Sequence, residues 1–417
     1  MMTLSEELTW RGFVNQTTLE DIKKLDSEKF IFYWGVDPSS DSMTVGNLAM
    51  AMMVKYFIKH GHKAVLLVGG ATGMIGDPDG KAEERHLLSK DNLETNKLAI
   101  TNQYKYIFRD LPIEIVDNYD WFRDFRYLEF LREVGKHVPM RQMLSREFVQ
   151  SRLGEEGSGI SYAEFSYVLI QAYDFLYLHQ NHGVNLQVCG SDQWGNSIAG
   201  VDLIRRITGD VTHVWSGPLI VNPQTGIKFG KSEGGAIWLD ATKTSPSAFY
   251  QFWVNSEDET AEQYLKIYTE LNKDQINNIM TEHNSNPKLR LAQFALADEV
   301  TRLVHGEIAF EKARTITRYL NGSQSIGEAS NQELNYLREE IKSTTTSING
   351  SVIQSLIESG LAESNTVAKK LLNGGAVYIN SRRISRDSFN SDDFINGKLL
   401  LRRGKAFKDT ALVELVN

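Results

Sequence analysis

Residues 33–47 read YWGVDPSSDSMTVGN, and this stretch decides the fold. It begins within an apolar run, Phe30 to Val36, and leads through a polar turn into a helical pattern from about Thr44 to His60. A second apolar run, Ala64 to Val68, follows that helix. Strand, helix and strand in this order predict a β-α-β unit with parallel strands.

Two further segments fit the same sheet. Glu114 to Val116 and Leu186 to Val188 are strand candidates, and helical patterns lie between them. We therefore predict an α/β fold with a Rossmann-like, doubly wound parallel sheet. In such sheets, ligands bind beyond the carboxyl ends of the strands.

The chain is predicted to divide into four parts. Residues 1–239 form the Rossmann-like domain, and residues 240–321 read as an α-helical domain. Residues 322–350, rich in Ser, Thr, Asn and Glu, suit a linker with one short helix. Residues 351–417 form a small α+β domain, in which a short strand meets a turn at Asn380–Ser381.

The bulk composition is that of a soluble globular protein. The chain of 417 residues is 41% hydrophobic and 24% charged, and no stretch approaches the ~20 apolar residues of a membrane span. The acidic N-terminus lacks the features of a secretion or transit signal, so we expect a cytoplasmic protein. Cys189 is the single cysteine, which excludes an internal disulfide, and the nine histidines show no metal-ligand spacing. No structural metal or tightly bound cofactor is expected.

Charge is unevenly distributed along the chain. The whole chain carries −8, whereas residues 351–417 hold ten Lys and Arg against seven Asp and Glu, a net +3. A local basic region can contact nucleic acid although the total charge is negative. The clustered basic residues are Lys369, Lys370, Arg382, Arg383, Arg402, Arg403 and Lys405.

Alternation along the first strand places Tyr33, Gly35 and Asp37 on one face. This face can form a pocket wall, because Gly35 lets a flat ligand approach the backbone while Tyr33 and Asp37 offer a hydroxyl and a carboxylate. A half-exposed strand with incidental polar residues is the alternative.

Two other segments suit a phosphate-bearing ligand. Thr44 and Asn47 project from the first turn of a helix, where free N–H groups attract phosphate, and Gly46 permits close approach. Ordinary helix capping is the alternative there. Lys228 and Lys231 lie in a Gly-rich loop and could neutralise charge that develops on phosphates, although a solvated charged turn has the same composition.

Polar groups also interrupt two apolar elements. Tyr167, Gln171 and Asp174 form one stripe on an otherwise apolar helix from Tyr162 to His179 and would need polar partners if buried. A solvent-facing stripe is the alternative. Asp192 lies in the segment Gly190 to Asn196 that follows the predicted strand Leu186 to Val188, and it could bind ribose hydroxyls or belong to a capping turn.

Five motifs together resemble the bacterial-type tyrosyl-tRNA synthetases, which are class I aminoacyl-tRNA synthetases. They are YWGVDPSSDS, VGGATGMIGDP, EFSYVLIQAYDF, GSDQWGN and KFGKSEGGAIWLD, and they occur in the family's order. The tail resembles an S4-type RNA-binding module. The resemblance runs from Trp10 to the C-terminus and identifies residues 1–239 as the expected catalytic domain.

The resemblance implies an activity and its substrates. L-tyrosine would react with ATP, carried with Mg²⁺, to give tyrosyl-adenylate, and the tyrosyl group would pass to the 3′ end of tRNA(Tyr). A homodimer is implied as well. No covalent enzyme intermediate is needed, because orientation and charge stabilisation supply the rate.

The resemblance also implies site residues. Those expected to bind tyrosine are Tyr33, Asp77, Tyr167, Gln171, Asp174 and Gln193. Those expected to bind ATP are Asp37, Ser39, Gly46, Gly190, Asp192 and Lys231. Those expected to act in catalysis are Thr44, Asn47, Lys81, Arg85, Lys228, Lys231 and Ser232. The seven basic residues named above are the expected RNA contacts.

One departure bears on the mechanism. The family usually carries histidines in the pattern H-x-G-H, where this chain has Thr44 and Asn47. A catalytically silent paralogue that acts as an RNA-binding protein is the alternative that this departure raises. The same chemistry on tryptophan is a further alternative, against which Tyr33 and Asp174 argue.

Overall fold

The computed structural model describes residues 2–78, 87–144, 147–154, 159–221, 231–232, 235–404 and 409–416. For residues 142, 147, 148, 231 and 232 only the backbone is described. The strands are β1 Gln16–Thr17, β2 Ile31–Val36, β3 Lys63–Val68, β4 Ile113–Asp117, β5 Leu186–Gly190, β6 His213–Gly217, β7 Lys231–Ser232, β8 Gly235–Ala236, β9 Lys342–Thr346, β10 Val377–Ile379, β11 Arg382–Ile384, β12 Lys398–Arg403 and β13 Thr410–Leu415.

Helices make up most of the remaining described structure. They are α1 Leu4–Arg11, α2 Lys24–Ser27, α3 Val45–Lys59, α4 Gly70–Ile75, α5 Lys90–Ile107, α6 Tyr119–Phe122, α7 Tyr127–Glu133, α8 Met140–Leu144, α9 Glu147–Leu153, α10 Tyr162–His182, α11 Trp194–Ile207, α12 Pro246–Val254, α13 Asp258–Tyr268, α14 Lys273–Ser285, α15 Leu291–Leu320, α16 Asn331–Glu340, α17 Val352–Glu358 and α18 Asn365–Asn373. Gly306, at φ 80° and ψ 173°, breaks α15 into two helical segments.

The predicted doubly wound sheet is confirmed. Its strand order is β1-β6-β5-β2-β3-β4, and β2 to β6 run parallel while the two-residue β1 pairs antiparallel with β6. The chain leaves β2 for β3 on one side and later returns to β5 on the other. A topological switch point therefore lies between β2 and β5, where side chains at the strand ends face an open crevice.

Helix α3 begins and ends within one residue of the predicted limits. Every residue from Ala51 to Ile58 is buried, and these eight residues make more than two full turns. The helix is therefore covered all round. Gly61, at φ 88°, ends the turn that follows it, because this left-handed backbone favours glycine.

The chain packs into two compact units, residues 1–243 with 258–292, and residues 244–257 with 293–417. These units do not coincide with the predicted helical domain 240–321, since α13 and α14 pack with the first unit and α12 and α15 with the second. The four functional domains stay a prediction. Within the described ranges, no helix has the length and apolar composition to cross a membrane.

The second unit contains a five-stranded sheet of order β11-β10-β12-β13-β9. Alternation along β12 sends Leu399 and Leu401 to a core formed with α17 and α18, and Leu400 to a second core formed with α15 and α16. The segment predicted as a linker supplies α16, the expected short helix, and also β9, which pairs parallel with β13. Both sheet faces are thus covered.

Candidate active site

A pocket of about 340 Å³ opens at the switch point between β2 and β5. It brings together side chains from the first four of the five sequence motifs. The predicted site residues that line it are Tyr33, Asp37, Ser39, Thr44, Gly46, Asn47, Asp77, Tyr167, Gln171, Asp174, Gly190, Asp192 and Gln193. Lys81, Arg85 and Lys228 lie outside the described residues, and Lys231 and Ser232 are described only as the backbone of β7, which pairs with β8.

Tyr33 presents a buried hydroxyl to this pocket. The side chain is 2% exposed, its ring packs against Phe175 at 5.2 Å between centroids, and its hydroxyl has no hydrogen-bond partner among the described residues. Burial, together with the nearby Asp174 carboxylate, raises the pKa of Tyr33 well above its ordinary value, so the hydroxyl keeps its proton. Gln171 Oε1 is likewise buried without a partner among them. Such groups indicate a polar ligand that completes them.

Asp174 lies on α10 at the same buried end of the pocket. Its two carboxylate oxygens accept hydrogen bonds from Asn118 Nδ2 at 3.1 Å and from Trp121 Nε1 at 2.9 Å. Burial raises the pKa of Asp174 well above its ordinary value, and these two hydrogen bonds act in the opposite direction. Both donors fix the orientation of the carboxyl group.

Asp37, at the end of β2, is held by two hydroxyl donors. Tyr167 donates at 2.7 Å and Thr72 Oγ1 at 2.6 Å. The glycine that follows β3 makes room for this carboxylate, because a Cβ on Gly69 would lie 2.1 Å from Asp37 Oδ1. The VGGATGMIGDP motif thus shapes the space around Asp37.

Thr72, Asn118 and Trp121 are site residues that the sequence analysis missed. The Nδ2 of Asn118 donates to Thr72 Oγ1 at 3.0 Å as well as to Asp174, and its Oδ1 accepts from the Ala71 N–H at 2.6 Å. Asn118 therefore connects the carboxylates of Asp37 and Asp174 through Thr72. Asn118 directly follows β4. This position at the carboxyl end of a strand is the sequence feature that could have identified it as a site residue.

Gln193 and Asp77 are joined across the pocket. Gln193 Nε2 donates to Asp77 Oδ2 at 2.7 Å, and Asn196 Nδ2 donates to Gln193 Oε1 at 3.2 Å. The GSDQWGN motif thereby supports the DP turn at the end of the glycine-rich motif.

The backbone at the start of α3 is hydrogen-bonded to residues 237–239, which follow the Gly-rich loop of Lys228 and Lys231 in the sequence. Val45 N–H donates to Ile237 O at 3.1 Å, and Leu239 N–H donates to Met43 O at 2.9 Å. Further along, Lys243 forms an ion pair with Asp41. The backbone on both sides of Thr44 is therefore fixed by a segment that is distant in the sequence.

The basic residues of the second unit differ in their surroundings. Lys369, Lys370, Arg382 and Arg383 are exposed, whereas Arg402 and Arg403 are half-buried.

Arg403 donates to Asp409 at 2.8 Å and to Leu361 O at 3.1 Å, and Arg402 lies over the Tyr378 ring at 5.5 Å. Lys405 lies outside the described residues. Among the described residues, no cluster of three or more His, Cys, Asp or Glu side chains is placed to hold a metal ion.

Comparison with known proteins assigns the family. The model of tRNA synthetases class I (W and Y) matches residues 25–320, and the model of the Tyrosine--tRNA ligase SYY-like C-terminal domain matches residues 333–408. The tyrosine–tRNA ligase of Levilactobacillus brevis is 42% identical over 416 residues, covering 97% of this chain and 98% of that protein. The tyrosine–tRNA ligase of Flavobacterium psychrophilum is 38% identical over 424 residues, with 97% and 98% coverage.

A solved structure agrees with these matches. The crystal structure of a C-terminally truncated mitochondrial tyrosyl-tRNA synthetase from Aspergillus nidulans has a TM-score of 0.70 and 30% identity, covering 77% of this chain and 94% of that one. The pocket, the motif order and the full-length relatives agree, and the chain belongs to the bacterial-type tyrosine–tRNA ligases, a family of class I aminoacyl-tRNA synthetases.

Proposed function

We propose that the chain is a tyrosine–tRNA ligase whose specificity resides at the buried end of the pocket. It activates L-tyrosine with ATP to tyrosyl-adenylate and transfers the tyrosyl group to the 3′ end of tRNA(Tyr). The observation that carries the specificity is the Tyr33 hydroxyl, buried without a partner among the described residues, near the oriented carboxyl of Asp174. A substrate phenol satisfies both groups, whereas phenylalanine would leave them unpaired and thus bind less well.

The other end of the amino acid would meet Asp77, Tyr167 and Gln171. A substrate ammonium group carries three donors, and the Asp77 carboxylate and the buried Gln171 Oε1 are acceptors. Tyr167 already donates to Asp37, so its oxygen retains acceptor capacity. Gln193, which is bonded to Asp77, is proposed to support the same group.

ATP is proposed to lie along the open side of the crevice. Asp37, Ser39, Gly46, Gly190 and Asp192 would surround the adenosine. Gly190 lines the pocket and has little room for a side chain, since a Cβ there would lie 2.7 Å from Asp192 Oδ1. Mg²⁺ enters with ATP as part of the substrate.

The chemical step needs positioning and charge neutralisation. The tyrosine carboxylate attacks the α-phosphorus, the bond from that phosphorus to the α,β-bridging oxygen breaks, and pyrophosphate leaves. The residues proposed to stabilise the charge on the phosphates are Thr44, Asn47, Lys81, Arg85, Lys228, Lys231 and Ser232. A ribose hydroxyl at the tRNA 3′ end then attacks the carbonyl and releases AMP.

A homodimer is part of the proposal. Among the residues between 127 and 162 whose side chains are described, five large apolar or aromatic ones are more than half exposed: Tyr127, Leu128, Met140, Leu153 and Tyr162. The hydroxyls of Tyr127 and Tyr162 lie 3.3 Å apart, which places the two ends of this segment side by side. An exposed apolar region of this kind is typical of a protein interface, and a second copy is the proposed occupant. The proposed location is the cytoplasm.

A tyrosine-dependent ATP–pyrophosphate exchange assay tests the activity. We expect exchange with tyrosine and much weaker exchange with phenylalanine or tryptophan at equal concentrations. Charging of tRNA(Tyr) should follow in the same preparation. A folded protein, with intact circular dichroism, that shows no exchange would contradict the enzyme and leave the RNA-binding paralogue; preference for tryptophan would contradict the pocket assignment.

A further inference from the structure

Thr44 and Asn47 form a closed pair at the start of α3. The Oδ1 atom of Asn47 accepts two hydrogen bonds from Thr44, one from its backbone N–H and one from its hydroxyl, each at 3.0 Å. Both residues line the pocket. The pair occupies the two positions where the family usually carries histidines.

These contacts determine which way the Asn47 carboxamide points. A backbone N–H can only donate, so the Asn47 atom that faces it must be the oxygen. The NH₂ group therefore lies on the other side of the carboxamide. Among the described residues, Nδ2 of Asn47 donates to none, and it remains available to a ligand in the pocket.

In the same contacts, both hydrogen-bond donors of Thr44, its backbone N–H and its hydroxyl, donate to Asn47. A hydroxyl has one hydrogen, and the Thr44 hydroxyl gives it to Asn47. Phosphate oxygens are acceptors and would find no donor in the Thr44 side chain. The backbone around Thr44 is also held by the hydrogen bonds of Val45 and Met43 to residues 237–239, so the pair rests on a fixed turn.

We infer that Thr44 is a positioning residue that holds the Asn47 carboxamide so that Nδ2 donates to the phosphates of ATP. This inference rests on the proposed function and gives Thr44 and Asn47 different roles, whereas the resemblance implies the same role for both. An amide is neutral at every working pH, unlike an imidazole with its ordinary pKa of about 6.5. The Asn47 carboxamide acts as a phosphate donor because it is already oriented before the reaction begins.

A double-mutant cycle tests the inference, with Thr44→Val, Asn47→Ala and the double variant measured in the exchange assay. Valine keeps the branched shape of threonine and removes only the hydroxyl. We expect Thr44→Val to lower kcat about fivefold and leave the KM for tyrosine unchanged, because one neutral hydrogen bond orients Asn47. Asn47→Ala should lower kcat by about 10- to 100-fold, and adding Thr44→Val to it should have no further effect.

Two more variants separate positioning from helix capping. Thr44→Ser retains the hydroxyl and should restore kcat to within about twofold of the parent. Asn47→Asp keeps the oxygen that Thr44 contacts and suits a helix N-terminus, but it has no Nδ2. Its melting temperature should equal that of the parent, while its kcat falls at least as far as that of Asn47→Ala.

Three results would overturn the inference in an active parent. Multiplicative effects of Thr44→Val and Asn47→Ala would mean that Thr44 contacts the nucleotide itself. Full activity of Asn47→Asp would mean that Asn47 only caps the helix. Full activity of Thr44→Val would mean that Asn47 needs no orientation by the hydroxyl. An inactive parent would instead refute the proposed function.

Discussion

The Tyr33 hydroxyl is expected to lower the stability of the free protein, and the proposed function gives the same hydroxyl a part in binding the substrate phenol. A buried hydroxyl without a partner costs roughly 1–3 kcal/mol relative to its hydration in the unfolded chain. Tyr33 is 2% exposed and its hydroxyl is unpartnered among the described residues. The cost is recovered only when a ligand supplies the missing hydrogen bond.

Replacing Tyr33 by Phe should therefore have opposite effects on folding and on substrate binding. We expect the free energy of unfolding, measured by urea denaturation, to rise by about 1 kcal/mol. The KM for tyrosine in the exchange assay should rise about fivefold, which corresponds to the loss of one neutral hydrogen bond.

Tyr104→Phe is the matched control for that experiment. Tyr104 is fully buried like Tyr33, but its hydroxyl donates to Leu67 O at 3.3 Å. Loss of the Tyr104 hydroxyl should lower the free energy of unfolding by about 0.5–1 kcal/mol and leave the KM for tyrosine unchanged. If both variants changed stability in the same direction, the unpartnered state of the Tyr33 hydroxyl would not explain the pocket.

Among single residues, the sequence predicted those that line the pocket better than those that hold the lining side chains in place. Alternation along β2 placed Tyr33 and Asp37 on one face, and both line the pocket. Asn118 and Trp121 were missed because their importance comes from contact with Asp174, which lies on a helix far along the chain. No local periodicity encodes such a contact.

Among the structural elements, the β10–β11 hairpin depends most on an unfavourable backbone conformation. Its two turn residues, Asn380 and Ser381, have φ values of 46° and 68°, both in the left-handed region. Asparagine tolerates this region, and here its side chain also bonds Asp393 O and the Leu400 N–H. Serine has no such tolerance, so Ser381 carries strain.

Ser381→Gly should stabilise the protein. Removing the Cβ at φ 68° relieves about 1–2 kcal/mol of strain, and the greater freedom of glycine in the unfolded chain offsets part of that gain. We expect a net increase of about 0.5–1 kcal/mol in the free energy of unfolding, measured by urea denaturation.

Ser385→Gly provides the comparison. Ser385 is exposed like Ser381, lies just beyond β11, and its φ is not positive. There glycine should lower stability by about 0.5–1 kcal/mol, because only its entropic cost remains. Equal destabilisation by both substitutions would rule out strain at Ser381.

Elements with strong periodicity were predicted closely, whereas β9 was not. Its sequence, KSTTT, is polar and half-exposed, so it lacks the apolar alternation that signals a strand. It forms a strand because it pairs with β13, which lies near the C-terminal end of the second unit. The linker predicted for residues 322–350 did not include this strand for that reason.

The whole molecule combines a net charge of −8 with a polyanionic tRNA partner. The positive charge that tRNA binding needs must therefore be local. Lys369, Lys370 and Arg382 are exposed in the second unit, whereas Arg403 is occupied by Asp409 and Leu361 O. We propose the first three as the phosphate contacts that matter most.

Deleting residues 351–417 would be a poor test of this role. Leu400 and Leu412 pack with Ile316, Leu334 and Leu337 in one core, so deletion would expose apolar side chains that remain in the chain. The compact second unit was not predictable from local patterns, because this core joins segments that are widely separated in the sequence. Substitution of exposed charges leaves the core intact.

The triple variant Lys369→Gln, Lys370→Gln and Arg382→Gln should separate the two steps of the reaction. Each lost phosphate contact reduces the slope of log affinity against log salt by about 0.7–0.9, so the slope of the triple variant should fall by about 2.1–2.7. We expect KM for tRNA(Tyr) to rise at least tenfold in charging assays, while ATP–pyrophosphate exchange stays unchanged. Lys342 is an exposed residue of β9, at the sheet edge opposite to β11, and it provides the control. Lys342→Gln should change neither the KM for tRNA(Tyr) nor the exchange rate. An unchanged salt slope in the triple variant would place the tRNA elsewhere on the protein.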